Sequence, residues 1–397
     1  MSNQDLVERA QAVLFQNYRQ QPIALVRGEG THVWDADGKR YLDFIGGIAT
    51  VSFGHANPRL RDAVRRQSEL LWHASNLYYS EPQIRLAEKL VSRSFADRVF
   101  FCNSGAEANE GMIKMARHFH VVNGQPERIE IVCMNNSFHG RTMGALAATG
   151  QPKYQQGFGP LPAGFRFVDF GDIGALAKAV GPQTCAVMLE PVQGEAGVFV
   201  PPRDYLKSVR ALCDQHGALL LLDEVQGGMG RTGKLFSHEH FGATPDAMSL
   251  AKGIAGGLPL GALCATEALA KVMTPGTHAS TFGGNPIATA AACEVIDMLD
   301  EAMLARIWRA GEKLGGAQAA LAKSQPRRVA GERGLGLWRA LVLAEDIAPK
   351  VVARARELGL LVNGIGDRVL RLAPPLTVSE AEIEEAAALL GRAIAEA

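Results

Sequence analysis

The chain predicts an α/β fold: a mainly parallel sheet of seven strands flanked by helices, with a smaller α+β lobe built from both termini. Three observations carry this. Between about residues 98 and 265, short apolar runs recur between helical patterns: Val99–Phe101, Ile129–Met134, Phe165–Val168, Ala186–Leu189, Ala218–Leu222, Ala247–Leu250 and Ala262–Cys264. Alternation of this kind builds a parallel sheet covered on both faces. The Ala218–Leu222 run is unbroken, as in strands buried on both sides. Finally, 397 residues exceed the size at which one core normally stops growing, so a large and a small lobe are expected.

In chain order, residues 23–54 read as a small β-unit, IALVRGEG then THVWDADGKRYLDF, with Asp37-Gly38 as a hairpin turn. GHANP marks a loop before a helix that begins near Pro58. The strand–helix alternation follows. Past Asn285-Pro286 the pattern turns helical, with apolar residues recurring from Ala288 to Leu321. The last lobe reads as a strand, GERGLGLWRALVL, a helix, PKVVARARELGL, a strand, VLRLAPPL, and a closing helix. The expected division is 1–57 and 288–397 for the small domain and 58–287 for the large one. No internal repeat or low-complexity segment interrupts it.

Lysine plus arginine equals aspartate plus glutamate at 41 each, which argues against a nucleic-acid or acidic-membrane partner. No apolar stretch approaches the ~20 residues of a membrane helix. The N-terminus, MSNQDLVERAQ, has no apolar core and carries acids, so neither a signal nor a transit peptide is expected. Six cysteines lack CxxC pairing, and four of them lie in or beside apolar strand-like runs, which reads as reduced, buried thiol and points to the cytoplasm.

The chemistry concentrates between Gln215 and Gly261. The Ala218–Leu222 run ends in Asp223 and Glu224, and Ala247–Leu250 delivers Lys252 among small residues. Ligands of open α/β sheets sit beyond the strands' carboxyl ends, so one crevice would receive a carboxylate and an amine. An aldehyde cofactor with a basic ring nitrogen needs that pair. Ser104, Gly105 and Ala106 stand between a strand and a helix, where a hydroxyl and free N–H groups suit a phosphate; Ser104 serves equally as a plain helix cap. Gly111 in that helix suggests close packing. In SFHGRT (137–142), Phe138 can stack on a flat ring and Arg141 can grip a carboxylate, or the stretch is an ordinary polar loop. EPVQGE (190–195) offers Glu190, which reads as structural as readily as functional, and Glu195, for which Arg371 is the natural cation. Thr281 lies in a glycine-rich loop.

Two motifs point elsewhere. Gly228–Gly233 matches GxGxxG and Gly228–Lys234 matches GxxxxGK. Both nucleotide readings require a helix to start there, whereas LFSHEHFGATPD has no helical face and Leu235 stands where a P-loop needs a hydroxyl. His238 and His240 lack a further ligand at metal spacing and read as solvated loop histidines.

Taken together, NSGAEANE (103–110), SFHGRT, EPVQGE, LLDEVQGGMGRTG (221–233), LAKG (250–253), STFGGNP (280–286) and RGLGL (333–337) resemble the class III pyridoxal-phosphate aminotransferases, in motif order along nearly the whole chain. The resemblance implies aminotransferase fold type I, pyridoxal 5'-phosphate as cofactor, and transfer of an ω-amino group to 2-oxoglutarate. Lys252 would be the Schiff-base lysine and proton shuttle. Asp223 would hold the pyridine N–H, Gln226 would meet the ring's phenolic oxygen, and Phe138 would stack on the ring. Ser104, Gly105 and Ala106 would cup the phosphate, completed by Thr281 from a second copy, so a homodimer with a shared site is implied. Arg141 would bind the far carboxylate of the donor. Arg371 would bind the α-carboxylate of glutamate or 2-oxoglutarate and pair with Glu195 otherwise. Ile48 stands where relatives acting on free ornithine have tyrosine, which favours an N-acylated donor such as N2-acetylornithine. Succinylornithine, ornithine and 4-aminobutyrate are the alternatives within the class; a nucleotide-binding oxidoreductase or NTPase and a non-catalytic scaffold are those outside it.

Overall fold

The computed structural model describes all residues, 1–397. The N-terminal β-unit is a meander of β1 (Leu25–Glu29), β2 (His32–Asp35) and β3 (Arg40–Asp43). The seven apolar runs become β4 (Arg98–Cys102), β5 (Glu130–Met134), β6 (Phe165–Val168), β7 (Thr184–Leu189), β8 (Leu219–Asp223), β9 (Ala247–Leu250) and β10 (Gly261–Ala265). They form one sheet in the order β4-β10-β9-β8-β7-β5-β6, parallel throughout except for β10, which runs against both neighbours.

Period-two alternation explains why β7 and β8 have no polar side. Leu220 and Leu222 enter one apolar cluster, while Leu219 and Leu221 enter another on the opposite face. The first cluster is continuous with Trp338 and Leu370, so the sheet and the C-terminal region share a core.

The C-terminal region contributes β11 (Val329–Leu335), β12 (Trp338–Leu343), β13 (Leu360–Leu361), β14 (Asn363–Ile365) and β15 (Val369–Leu372). β13 pairs in parallel with β3, Leu360 opposite Leu42, so strands from the two ends of the chain share one sheet. β11, β12, β15 and β14 form a separate antiparallel sheet.

One expected strand is in fact two. GERGLGLWRALVL is a hairpin rather than one strand: Gly336 adopts φ +54°, and Leu337 N donates to Arg231 O at 3.1 Å. A Cβ at Gly336 would lie 2.5 Å from Thr232 backbone, so the turn is pressed against the loop that follows β8. The helical stretch after Pro286 is two helices, Pro286–Met298 and Glu301–Ser324. Asp300 ends the run by capping the second helix, its carboxylate accepting from Met303 N at 2.7 Å. Gly111 packs as its position suggested, since a Cβ there would sit 3.1 Å from Leu263 Cδ2. All six cysteines are buried, and no helix is long and apolar enough to cross a membrane.

Candidate active site

β8 and β9 end side by side and, with β4, β5 and β7, point their carboxyl ends at one edge of the sheet. A crevice of about 420 Å³ opens there, with both Asp223 and Lys252 in its wall. Lys252 follows β9 in a short turn and holds φ +46°, a strained value for a residue with a Cβ. Burial strips water from its ammonium and pulls its pKa down to about 8; Glu195 opposes that shift, and Arg371 adds to it.

Asp223 is 5 % exposed. Its Oδ2 accepts from Asn109 Nδ2 and His139 Nδ1, each at 2.8 Å, and Oδ1 accepts from Val225 N at 3.0 Å. Three of roughly four acceptor places are therefore used, and one lone pair stays free for a further donor. Asn109 and His139 hold this carboxylate, yet the sequence reading assigned neither a role. Asn109 was detectable as the one amide beside the apolar face Ala108, Met112 and Ala116 of its helix.

At another end of the crevice, Ser104 caps the helix Gly105–Val122, its Oγ accepting from Glu107 N at 3.2 Å. The hydroxyl also donates to Glu107 Oε2 at 3.0 Å. So the capping role is real, and the first-turn amides of Gly105 and Ala106, which have no intrahelical acceptor, still line the crevice. Gly105 cannot be larger: a Cβ would approach Val225 side-chain carbons at 2.8 Å.

Phe138 and Val225 supply apolar wall. The Phe138 backbone N–H donates to Glu190 Oε1 at 3.0 Å, and Gly194 N donates to Glu190 Oε2 at 3.0 Å, so this buried carboxylate fastens two loops together. Burial raises the Glu190 pKa. Arg141 is exposed at the rim with its guanidinium 3.9 Å above the Tyr154 ring.

Next to the crevice lies the Glu195–Arg371 pair, Nη1 to Oε1 at 2.6 Å. Gln226, a wall residue, joins it: its Oε1 accepts from Arg371 Nη1 at 3.2 Å and its Nε2 donates to Glu195 Oε1 at 3.3 Å. Burial opposes charge on Glu195, but the guanidinium beside it holds the carboxyl below the ordinary range.

Two residues do not reach the crevice within one chain. Thr281 is exposed and lines a separate small hollow with Asn76 and Phe282. Ile48 sits at φ +61° and is half exposed, while its neighbour Thr50 takes the place in the wall. The glycine-rich stretch after Asp223 runs as turns into the 3-10 segment Ser237–His240, so no helix begins where a nucleotide motif needs one. His238 is buried, not solvated, and hydrogen-bonds Glu224 Oε1 at 2.9 Å; His240 is also largely covered, with Nε2 3.1 Å from Thr232 O. Their loop is folded back onto Glu224, which sequence spacing does not reveal.

The donor set fits pyridoxal phosphate. One crevice holds an amine of lowered basicity, a buried carboxylate with a free lone pair, an aromatic wall and a helix N-terminus able to take a phosphate. Comparison with known proteins agrees. The profile of the family described as Aminotransferase class-III matches residues 14–394. An acetylornithine aminotransferase of Myxococcus xanthus is 49% identical over 385 residues, covering 96% of each chain. One of Methanothermobacter thermautotrophicus is 45% identical over the full length of both. The crystal structure of the ornithine aminotransferase from Toxoplasma gondii ME49 superposes with a TM-score of 0.96 at 32% identity, covering 100% of this chain and 96% of that one. A second structure of the Toxoplasma enzyme, with TM-score 0.94 and 32% identity over 98% of this chain and 94% of that one, has PLP at partial occupancy in its active site. The amine, acid and ion pair gathered at one sheet edge thus sit on a chain that belongs to the class-III aminotransferases.

Proposed function

We propose that this protein moves the δ-amino group of N2-acetyl-L-ornithine to 2-oxoglutarate, giving N-acetyl-L-glutamate 5-semialdehyde and L-glutamate, a step of arginine biosynthesis. Curated relatives with the name acetylornithine aminotransferase, 45–49% identical over nearly the whole chain, support the donor. The observation that carries the chemistry is the shared crevice of Lys252 and Asp223, with a maskable arginine beside it.

Pyridoxal phosphate, when bound, supplies an aldehyde for the amino group and a protonated ring that draws electrons from the reacting carbon. Lys252 would hold the aldehyde end of that group, and once an incoming amine displaces it, its weakly basic Nζ would be the proton carrier of the site. Asp223, its carboxylate fixed by His139 and Asn109, would keep a proton on the ring nitrogen. Gln226 and Phe138, both in the crevice wall, would hold the phenolic side and a face of the ring. Ser104 and the amides of Gly105 and Ala106 hold the phosphate with help from the partner subunit's Thr281. Arg141 receives the carboxylate remote from the reacting carbon. Arg371 receives the one adjacent to it, and Glu195 masks that charge when the acylated donor, which has none there, occupies the site.

The homodimer is supported by exposed apolar side chains gathered about the Thr281 loop. Leu77 and Tyr79 are 87% and 94% exposed, and the adjoining Asn76 Nδ2 donates to Ser280 O and Gly283 O. Reduced, buried cysteines fit a cytoplasmic setting.

The test is a visible spectrum followed by a donor panel with 2-oxoglutarate. A yellow protein with the highest kcat/KM for acetylornithine is expected. A higher kcat/KM for succinylornithine, ornithine or 4-aminobutyrate would reassign the donor, and a colourless protein without turnover would end the reading.

A further inference from the structure

Arg371 is held by three acceptors, and only one of them carries charge. Nη1 donates to Glu195 Oε1 at 2.6 Å and to Gln226 Oε1 at 3.2 Å, while Nη2 donates to Asn363 Oδ1 at 2.8 Å. The three come from different parts of the chain and differ in what they can do. Glu195 stands on the loop after β7 with its side chain 23% exposed, and it alone carries a charge that an incoming carboxylate can replace. Gln226 touches both members of the ion pair, so its own bonding changes when Glu195 leaves. Asn363 touches Arg371 alone. It sits directly opposite Arg371 in the β14–β15 pairing, where the two side chains share one face of the sheet. Its bond is therefore the one that survives the exchange of Glu195 unchanged.

Arg371 itself is 3 % exposed, so a guanidinium that lost its aim would find little water to replace the lost contact. Neutrality at position 363 matters as much as geometry. A neutral acceptor orients the fork and leaves its charge for an incoming carboxylate, whereas a second permanent carboxylate would spend that charge.

We propose that Asn363 is a specificity-determining positioning residue: its amide oxygen keeps the Arg371 fork aimed while the Glu195 carboxylate gives way to the α-carboxylate of a dicarboxylic substrate. This rests on the reading of Arg371 as the holder of that carboxylate. Only the half-reaction in which the incoming molecule presents a carboxylate beside its reacting carbon depends on Asn363.

The test compares wild type, Asn363→Ala, Asn363→Asp and Arg371→Ala as holoenzymes, following each half-reaction separately by cofactor absorbance. Losing one hydrogen bond to a charged group predicts a KM for 2-oxoglutarate raised on the order of tenfold in Asn363→Ala, with kcat within about twofold of wild type. Asn363→Asp, nearly isosteric, should be worse than Asn363→Ala because it neutralises the fork. Both should keep kcat/KM with acetylornithine within about threefold of wild type. An unchanged KM for 2-oxoglutarate in both variants, with Arg371→Ala losing that substrate, would overturn the role of Asn363 and leave that of Arg371 intact. Equal losses in both half-reactions would also overturn it, as general damage to the fold. If Arg371→Ala itself spares 2-oxoglutarate, the reading of Arg371 falls first and the proposal falls with it.

Discussion

Replacing Asp223 by asparagine separates the shape of the site from its charge. The carboxylate receives two N–H donors at Oδ2 and one at Oδ1, all within 3.0 Å. An amide cannot accept at both ends. With its oxygen toward Asn109 and His139, its NH2 group faces the Val225 N–H; turned around, it faces two donors. The first arrangement leaves one buried donor unsatisfied, which costs about 1–3 kcal/mol of stability. The protein should therefore fold with a thermal midpoint lowered by a few degrees and still take up pyridoxal phosphate through its other contacts. Turnover should fall much further, about 10²- to 10⁴-fold, because a neutral amide does not keep a ring nitrogen protonated. The assay pairs cofactor absorbance with single-turnover rates for acetylornithine. His139→Ala keeps the carboxylate but removes one donor from Oδ2, so it should lie between wild type and Asp223→Asn. A cofactor-loaded Asp223→Asn protein turning over within about threefold of wild type would refute the reasoning.

Glu195→Ala unmasks Arg371 and should raise kcat/KM for glutamate as donor about tenfold, the worth of one displaced, partly exposed charged partner; an unchanged ratio of glutamate to acetylornithine reactivity would end the masking idea. Lys252 has its pKa lowered to about 8, so colour formation on adding pyridoxal phosphate to the cofactor-free protein should accelerate up to about pH 8 and then level off. A rate still climbing steeply past pH 10 would mean an ordinary lysine. The sign for stability follows from the same shift. Between about pH 8 and the ordinary 10.5 the unfolded lysine keeps its proton and the folded one does not, so the cofactor-free fold should gain stability as pH rises through that window, read as a rising denaturation midpoint. Gly311→Ala would place a Cβ 2.3 Å from the Gly336 carbonyl carbon, and overpacking against backbone there should cost about 2–3 kcal/mol in chemical denaturation. An unshifted midpoint would show that the helix Glu301–Ser324 gives way freely.

The two central strands were legible because each runs apolar for its whole length and stops at a carboxylate: Ala186–Leu189 before Glu190, Ala218–Leu222 before Asp223. Such local patterns do not need the rest of the fold to be read. The turn at Gly336 was not legible, since its left-handed backbone answers to Thr232, about a hundred residues away. Asp300 hid inside a continuous helical periodicity, which records the apolar face and not the cap. The histidines at 238 and 240 looked like solvated loop residues because nothing nearby in sequence shows that Glu224 draws the loop inward.

The sequence by itself determined the strand order along the chain, the placing of Asp223 and Lys252 at neighbouring strand ends, and the pairing of Glu195 with Arg371. The first two follow from local periodicity; the third was legible only with the class-III motifs beside it, since any of 41 lysines and arginines has the opposite charge. Only the tertiary structure decided that Asn109 and His139 grip Asp223, that Gln226 bridges the ion pair, and that Asn363 steadies Arg371 from an adjacent strand. These are hydrogen bonds between residues mostly far apart in the chain, and one polar side chain in a sequence does not say which partner the fold will bring within hydrogen-bonding distance of it.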